Sequence, residues 1–129
     1  MQKAKKSDWK ILDMPLQTEN FKFDIKLTQQ ELELLKNGFI PQEMEDKWFM
    51  YFEDDKLYIH RSWTGFCIYI VSFSDDGAIQ DVTVNRNPEQ HKETKIEKDK
   101  ITIQILINNL ISRKGNRDLM IQYIKTQGT

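Results

Sequence analysis

Four consecutive residues, His60, Arg61, Ser62 and Trp63, bring a proton-transfer group, an anion-binding fork, a hydroxyl and an indole into the otherwise apolar stretch LYIHRSWTGFCIYIV. Cys67 adds a thiol just beyond them. An imidazole titrates near neutral pH, so His60 could act as a general base or hold a ligand; lodged between aromatic residues, it would more often be a packed, hydrogen-bonded residue. Arg61 could clamp a phosphate or carboxylate. Its alternative is structural, with the stem over Trp48 or Trp63 and the head paired to Asp81, because a buried Arg and Asp without each other would be costly. Trp63-Thr64-Gly65 reads either as a binding corner or as a tight turn whose glycine supplies a positive φ. Cys67 as a nucleophile would need a neighbouring base, and a mid-strand cysteine is more often a small buried apolar residue.

The remaining reactive residues have less specific spacing. Glu43, Glu45 and Asp46, with the pair Asp54-Asp55, lack the pattern of a metal site and are expected to form a solvated loop and a turn. His91 lies in the charged run PEQHKETKIEKDK and is expected to be solvated. In the same run lysines alternate with Glu93, Glu97 and Asp99, which cancels any nucleic-acid-binding stripe. A P-loop, GxGxxG, HExxH or GxSxG motif is absent from the sequence. With a single cysteine, neither an internal disulfide nor a Cys/His zinc set can be assembled, and a reducing, cytoplasmic setting is expected.

The elements that must position these residues read clearly in places. In NFKFDIKL, Phe21, Phe23, Ile25 and Leu27 alternate with polar residues, the period of a strand with one buried face. Thr28 and Glu31 form a capping box, with Leu27 stapled against Leu32, so a short helix is expected from Gln29 to Asn37, stopped by Gly38 and Pro41. Four β-rich runs follow, KWFMYFE, KLYIHRSW, FCIYIVSF and AIQDVTVN, punctuated by Asp54-Asp55, Thr64-Gly65 and Ser74-Asp75-Asp76-Gly77. An antiparallel meander is the natural reading. Ile103, Leu106, Ile107, Leu110 and Ile111 share one helical face, with Asp99 near the start and Gly115 at the stop, although the isoleucine alternation there also fits a strand. The tail RDLMIQYIK is apolar enough to pack back on the body.

With two-residue loops at Asp54-Asp55 and Thr64-Gly65, Tyr51 faces Tyr58, Phe49 faces His60, His60 faces Tyr69, and Ser62 faces Cys67. One face of the sheet then carries Trp48, Met50, Phe52, Leu57, Ile59, Trp63, Phe66, Ile68 and Ile70 with Arg61 and Asp81, and seats the helices. The other carries Phe49, Tyr51, Tyr58, His60, Ser62, Cys67, Tyr69, Val71 and Phe73, and is the expected ligand face, an apolar floor with a few polar groups.

The chain has 129 residues, enough for one domain with residues 1–8 as a frayed end, and its 39% hydrophobic and 30% charged content is that of a solvated globule. A net charge of −1 sets up no global field for nucleic acid or membrane, and no run of apolar residues approaches a membrane span. The core MEDKWFMYFEDDKLYIHRSWTGFCIYIV, with an acidic residue before Lys-Trp-Phe, an acidic hairpin turn and Leu-Tyr-x-His-Arg-Ser-Trp-Thr-Gly, resembles a family of small bacterial domains of unassigned function. The resemblance covers about a quarter of the chain. Such domains occur alone or beside ADP-ribose-processing modules, which implies a nucleotide-derived ligand and assigns no catalytic residue.

The reading is thus an α+β domain: a mainly antiparallel sheet of about five strands, a short helix after the first strand and a longer C-terminal helix. Its expected function is non-enzymatic binding of a protein or small-molecule partner, or of a second copy in a homodimer. No cofactor or metal is expected. The site would draw on Tyr51, Tyr58, His60, Arg61, Ser62, Trp63 and Tyr69. The rival is a small enzyme acting on a nucleotide or ADP-ribose-like substrate, with His60 as base and Arg61 as anion clamp.

Overall fold

Asp54 and Asp55 both adopt positive φ, 52° and 62°, the conformation a two-residue hairpin loop requires to follow the twist of its strands. They join β2 (Trp48–Glu53) to β3 (Lys56–Arg61), with Tyr51 opposite Tyr58 and Phe49 opposite His60 as expected. The computed structural model describes residues 3–111. In these, β1 (Thr18–Phe21), β4 (Cys67–Phe73) and β5 (Ile79–Asn85) complete a five-stranded antiparallel sheet ordered β1-β5-β4-β3-β2. With α1 (Gln29–Leu35) after the first strand and the longer α2 (Ile96–Ile111) after the last, the architecture is α+β. The tail RDLMIQYIK and the Gly115 stop lie outside the described residues.

α1 starts as its capping box dictates: Thr28 Oγ1 accepts from the Glu31 amide at 3.1 Å, and Glu31 Oε1 accepts from the Thr28 amide at 2.9 Å. Its α-helical span ends at Leu35, a turn carries the chain on, and Gly38 takes a φ of +65°. In α2, the apolar side chains at helical spacing, Ile103, Leu106, Ile107 and Leu110, are all buried, which decides helix over strand. These residues, with Leu32 and Leu35 of α1, cover the sheet face built from Leu57, Ile59, Val71, Val82 and Val84. Each such side chain contributes about 1.5–3 kcal/mol through burial.

Two expectations about the sheet are corrected. Only the beginning of NFKFDIKL lies in a ladder strand, because the Ile25 amide bonds the Phe23 carbonyl at 2.9 Å in a tight turn that interrupts pairing with β5. The chain rejoins the sheet only through the Lys26–Ala78 bridge. Alternation nevertheless holds in burial, since Phe21 and Leu27 are buried while Lys22, Asp24 and Lys26 are exposed.

The second correction concerns the β3–β4 connection. Arg61 pairs with Phe66 through its amide and closes a four-residue loop, Ser62 to Gly65, instead of a two-residue one. Next, His60 pairs with Cys67 and Ile59 with Tyr69, which leaves Ile68 as an extra residue. That bulge changes the parity of β4, so Tyr69, Val71 and Phe73 point to the helix-covered face, whereas Cys67 stays with His60. Asp81, opposite Ser72, moves to the face away from Arg61 and accepts from Asn20 Nδ2 at 2.9 Å. The expected Arg61–Asp81 pair therefore does not form.

The other face of the sheet is partly covered by the chain's own start. In the segment expected to fray, Ala4 is buried and its amide bonds the Asn37 carbonyl at 2.8 Å, followed by a single 3₁₀ turn at Lys6–Asp8. Trp9 stacks on Phe49 with centroids 5.9 Å apart and donates its Nε1–H to the Ser62 carbonyl at 2.8 Å. The Leu12 amide bonds the Gly65 carbonyl at 2.9 Å. This strap covers Phe49 and Tyr51, and leaves the Asn20–Asp81–Thr83 end of the same face hydrogen-bonded and open to solvent.

Gly65 is where strap and loop meet: its φ is +81°, and a Cβ there would lie 2.7 Å from the Lys10 carbonyl oxygen. Gly65→Ala is expected to cost more than about 2 kcal/mol, combining left-handed strain with displacement of the strap. Urea unfolding followed by tryptophan fluorescence measures it; a change below about 0.5 kcal/mol, the size typical of neutral surface substitutions, would remove the strap from the fold's stability.

Candidate functional site

The residues singled out from the sequence separate into three groups. Tyr51, Tyr58 and His60 do come together under the strap: Tyr51 stacks on Tyr58 at 4.8 Å and on His60 at 5.8 Å. Cys67 shares their face. This is a packed interior and not an open floor, since His60 is 2% exposed, Tyr51 3% and Cys67 1%. His60 Nδ1 lies 3.0 Å from the Gly65 carbonyl, which can only accept, so the ring proton sits on Nδ1. Nε2 is then a lone-pair nitrogen, buried and without a partner among the described residues. Burial pushes the His60 pKa down, only partly opposed by the hydrogen bond to Gly65 and the charge of Asp13, and the ring is neutral at pH 7. Burial pushes the Cys67 thiol up to about 12, so it is no nucleophile in this state.

Arg61 lies on the opposite face from His60, with its guanidinium 4.7 Å over the Trp48 ring. Trp48 is one of the two rings anticipated, but it is the guanidinium head and not the stem that lies over it, and the expected partner acid is not beside it. Ser62 is buried in the loop, where its hydroxyl donates to the Asp46 carbonyl at 2.7 Å and its amide to the Lys47 carbonyl at 2.9 Å. Trp63 is 74% exposed, yet its Nε1–H donates to the Met44 carbonyl at 3.0 Å, so the indole is held in one orientation in solvent. It lines two concavities. One, of about 180 Å³, is formed with Lys47, Arg61 and Thr64; the other, of about 350 Å³, includes Trp9, Pro41, Met44 and Ser62. A larger hollow of about 490 Å³ lies between β2 and α2, against Trp48, Met50, Leu106 and Leu110.

Tyr69 belongs to a third group that the sequence did not reveal. Moved to the helix-covered face by the bulge, its hydroxyl donates to Asp99 Oδ1 at 2.7 Å. Asp99 is fully buried, and its carboxylate also accepts from His91 Nε2 at 3.1 Å and from Arg86 Nη2 at 2.7 Å. Arg86 continues to Glu19 Oε1 at 2.8 Å and the Glu93 carbonyl at 3.0 Å. Burial alone would raise the Asp99 pKa, but the hydrogen bonds from His91, Arg86 and Tyr69 outweigh it and hold the carboxyl below its ordinary value. His91 is therefore not a solvated loop residue. Facing an ionised carboxylate, its Nε2 must be the donor, and Nδ1 has no hydrogen-bond partner among the described residues. The signal available in the sequence was Asp99 within the first turn of an apolar-faced helix, where a carboxylate either solvates or reaches inward.

The chain matches no family model, no curated protein and no solved structure. No helix among the described residues is long and apolar enough to cross a membrane, and no group of three or more metal-ligating side chains is found among them.

The buried carboxylate yields a stability prediction. Asp99→Asn would place an amide NH₂ against the donors that now surround the carboxylate, and is expected to cost on the order of 3 kcal/mol at neutral pH. A carboxyl whose folded pKa lies below its unfolded value stabilises the fold above the unfolded pKa and loses that contribution as pH falls through the folded one. The gap between native protein and variant, measured by urea unfolding across pH, should accordingly shrink below about pH 4. A gap of less than about 0.5 kcal/mol at pH 7, the size of a neutral surface change, would mean that the charged cluster does not hold α2 to the sheet.

Proposed function

We propose that this protein is a non-enzymatic, cytosolic binding domain that engages its partner at the β3–β4 corner, with Trp63 at the centre of the contact. The observation that carries the reading is an indole that is 74% exposed and still fixed by a hydrogen bond to Met44, between two concavities. Exposing a tryptophan forgoes the free energy of burying it, and ordering it in solvent forgoes rotamer entropy, so the arrangement is preorganised for a partner that covers it. Met44, 75% exposed beside it, enlarges the same apolar patch. The buried thiol of the lone cysteine suits a reducing compartment.

The aromatic His60 face does not support an open binding role, because the strap fills it. A small enzyme with His60 as base and Arg61 as clamp has no geometric support either, since the two side chains point to opposite sides of the sheet and the imidazole is sealed.

The sequence contains three tryptophans, whose indole ¹⁵N–¹H resonances report on Trp9, Trp48 and Trp63 separately. Titrating the ¹⁵N-labelled protein with a panel of neutral, cationic and anionic aromatic fragments should move the Trp63 resonance first, and Trp63→Ala should abolish binding while changing stability by less than about 0.5 kcal/mol. Fragments that bind only elsewhere, leaving the Trp63 resonance in place, would contradict the reading.

A further inference from the structure

We infer that the smaller concavity at this corner receives the phosphate monoester end of a ligand whose ring lies along Trp63, an inference that rests on the corner being a binding surface. The cavity of about 180 Å³ has Lys47, Arg61, Trp63 and Thr64 as its lining. Neither Lys47 nor Arg61 has a carboxylate partner among the described residues. That separates them from Arg86, which bonds both Asp99 and Glu19, and from Lys26 and Lys36, which pair with Asp76 and Glu33. Arg61 also has a resting place: with its guanidinium over the Trp48 ring at 4.7 Å, one flat face is covered and the N–H edges remain for an acceptor. Thr64 Oγ1 already accepts from the Phe66 amide at 3.3 Å, which leaves its O–H to donate outward.

Three residues that carry donor groups, two of them cationic, thus line one small space. A carboxylate offers two coplanar oxygens and one charge, whereas a phosphate monoester offers three oxygens in different directions and nearly two charges, matching an Arg fork, a Lys point charge and a hydroxyl together. Size limits the rest. A volume of about 180 Å³ lies below the roughly 300–1,000 Å³ of sites that enclose a whole ligand, so only the head group fits. Trp63 is shared with the neighbouring concavity of about 350 Å³, whose lining includes Trp9, Pro41 and Met44, and the body of the ligand continues there across the indole. Glu43 lines that larger concavity and sets the orientation, because a phosphate placed beside it would be repelled.

The test titrates the ¹⁵N-labelled protein with phenyl phosphate, AMP, benzoate and phenol at low and high salt, reading the Trp63 indole resonance. Phenyl phosphate or AMP should bind at least tenfold more tightly than benzoate and phenol, and weaken with salt. Lys47→Gln and Arg61→Gln should each reduce that affinity about tenfold or more while leaving phenol unaffected. Lys47 is exposed, so its variant keeps the test valid even if loss of Arg61 from the Trp48 ring disturbs folding. Tighter binding of AMP than of phenyl phosphate assigns a heteroaryl carrier, and the reverse a simple aryl one. If phenol or benzoate moves Trp63 as readily as the phosphates and Lys47→Gln changes nothing, the phosphate inference is overturned while the binding surface stands. If no probe moves Trp63, both fall.

Discussion

The grip of the N-terminal strap on the β3–β4 loop is the contact on which the rest of the arrangement depends. Trp9 bonds the Ser62 carbonyl, and Leu12 and His60 both bond the Gly65 carbonyl, so strap, strand and loop converge on a single four-residue turn. A sheet apolar on both sides needs a cover on both. The helices supply one, and on the β2–β3 half of the other side the strap supplies the other. Holding the loop from below fixes Ser62 and Gly65 inward, while Trp63 and Thr64 between them turn out to solvent. The exposed indole is thus a consequence of how the buried face is closed.

The two histidines illustrate how environment assigns chemistry. His60 has one nitrogen bonded and the other buried without a partner among the described residues, an arrangement that keeps the ring neutral and unreactive and forgoes about 1–3 kcal/mol for the orphaned acceptor. His91 has one nitrogen bonded to a buried carboxylate, which ties its ring into a charged cluster. By sequence alone His60 has the neighbours of a reactive group, yet its role in the fold is structural. His91, placed by sequence in a charged loop, belongs to the cluster that fastens the β5–α2 connection and the start of α2 to Tyr69 and β1.

Legibility in the sequence followed the range of the interaction. The capping box at Thr28 and Glu31, the hairpin at Asp54-Asp55 and the apolar stripe of α2 are set by residues within a few positions of one another, and each forms as its local pattern predicts. The β3–β4 connection departs from expectation because Thr64-Gly65 has the composition of a two-residue turn, while the actual turn is closed by Gly65 bonding back to Arg61 and by tertiary hydrogen bonds from Ser62 to Asp46 and Lys47. One bulged residue, Ile68, then sends Tyr69 to the other face, and with the change of parity the expected Arg61–Asp81 pair is lost. The strap and the Asp99 cluster join residues separated by a large part of the chain, and no local pattern announces such pairings. Of the expected site, Arg61 and Trp63 meet at the corner, Tyr51, Tyr58 and His60 meet in the interior, and Ser62 anchors the turn between them.

The strap closes the His60 face, and this closure moves the candidate contact surface from the aromatic floor to the β3–β4 corner. Diethyl pyrocarbonate acylates unprotonated imidazole nitrogens that reagent can reach, and the chain contains only two histidines, so peptide mass spectrometry after brief treatment of the native protein at pH 7 probes that closure. The structure predicts modification of His60 only after denaturation. Modification of native His60 at a rate comparable to that in the denatured chain would contradict it, and would return the aromatic face to the candidate surfaces for binding or catalysis.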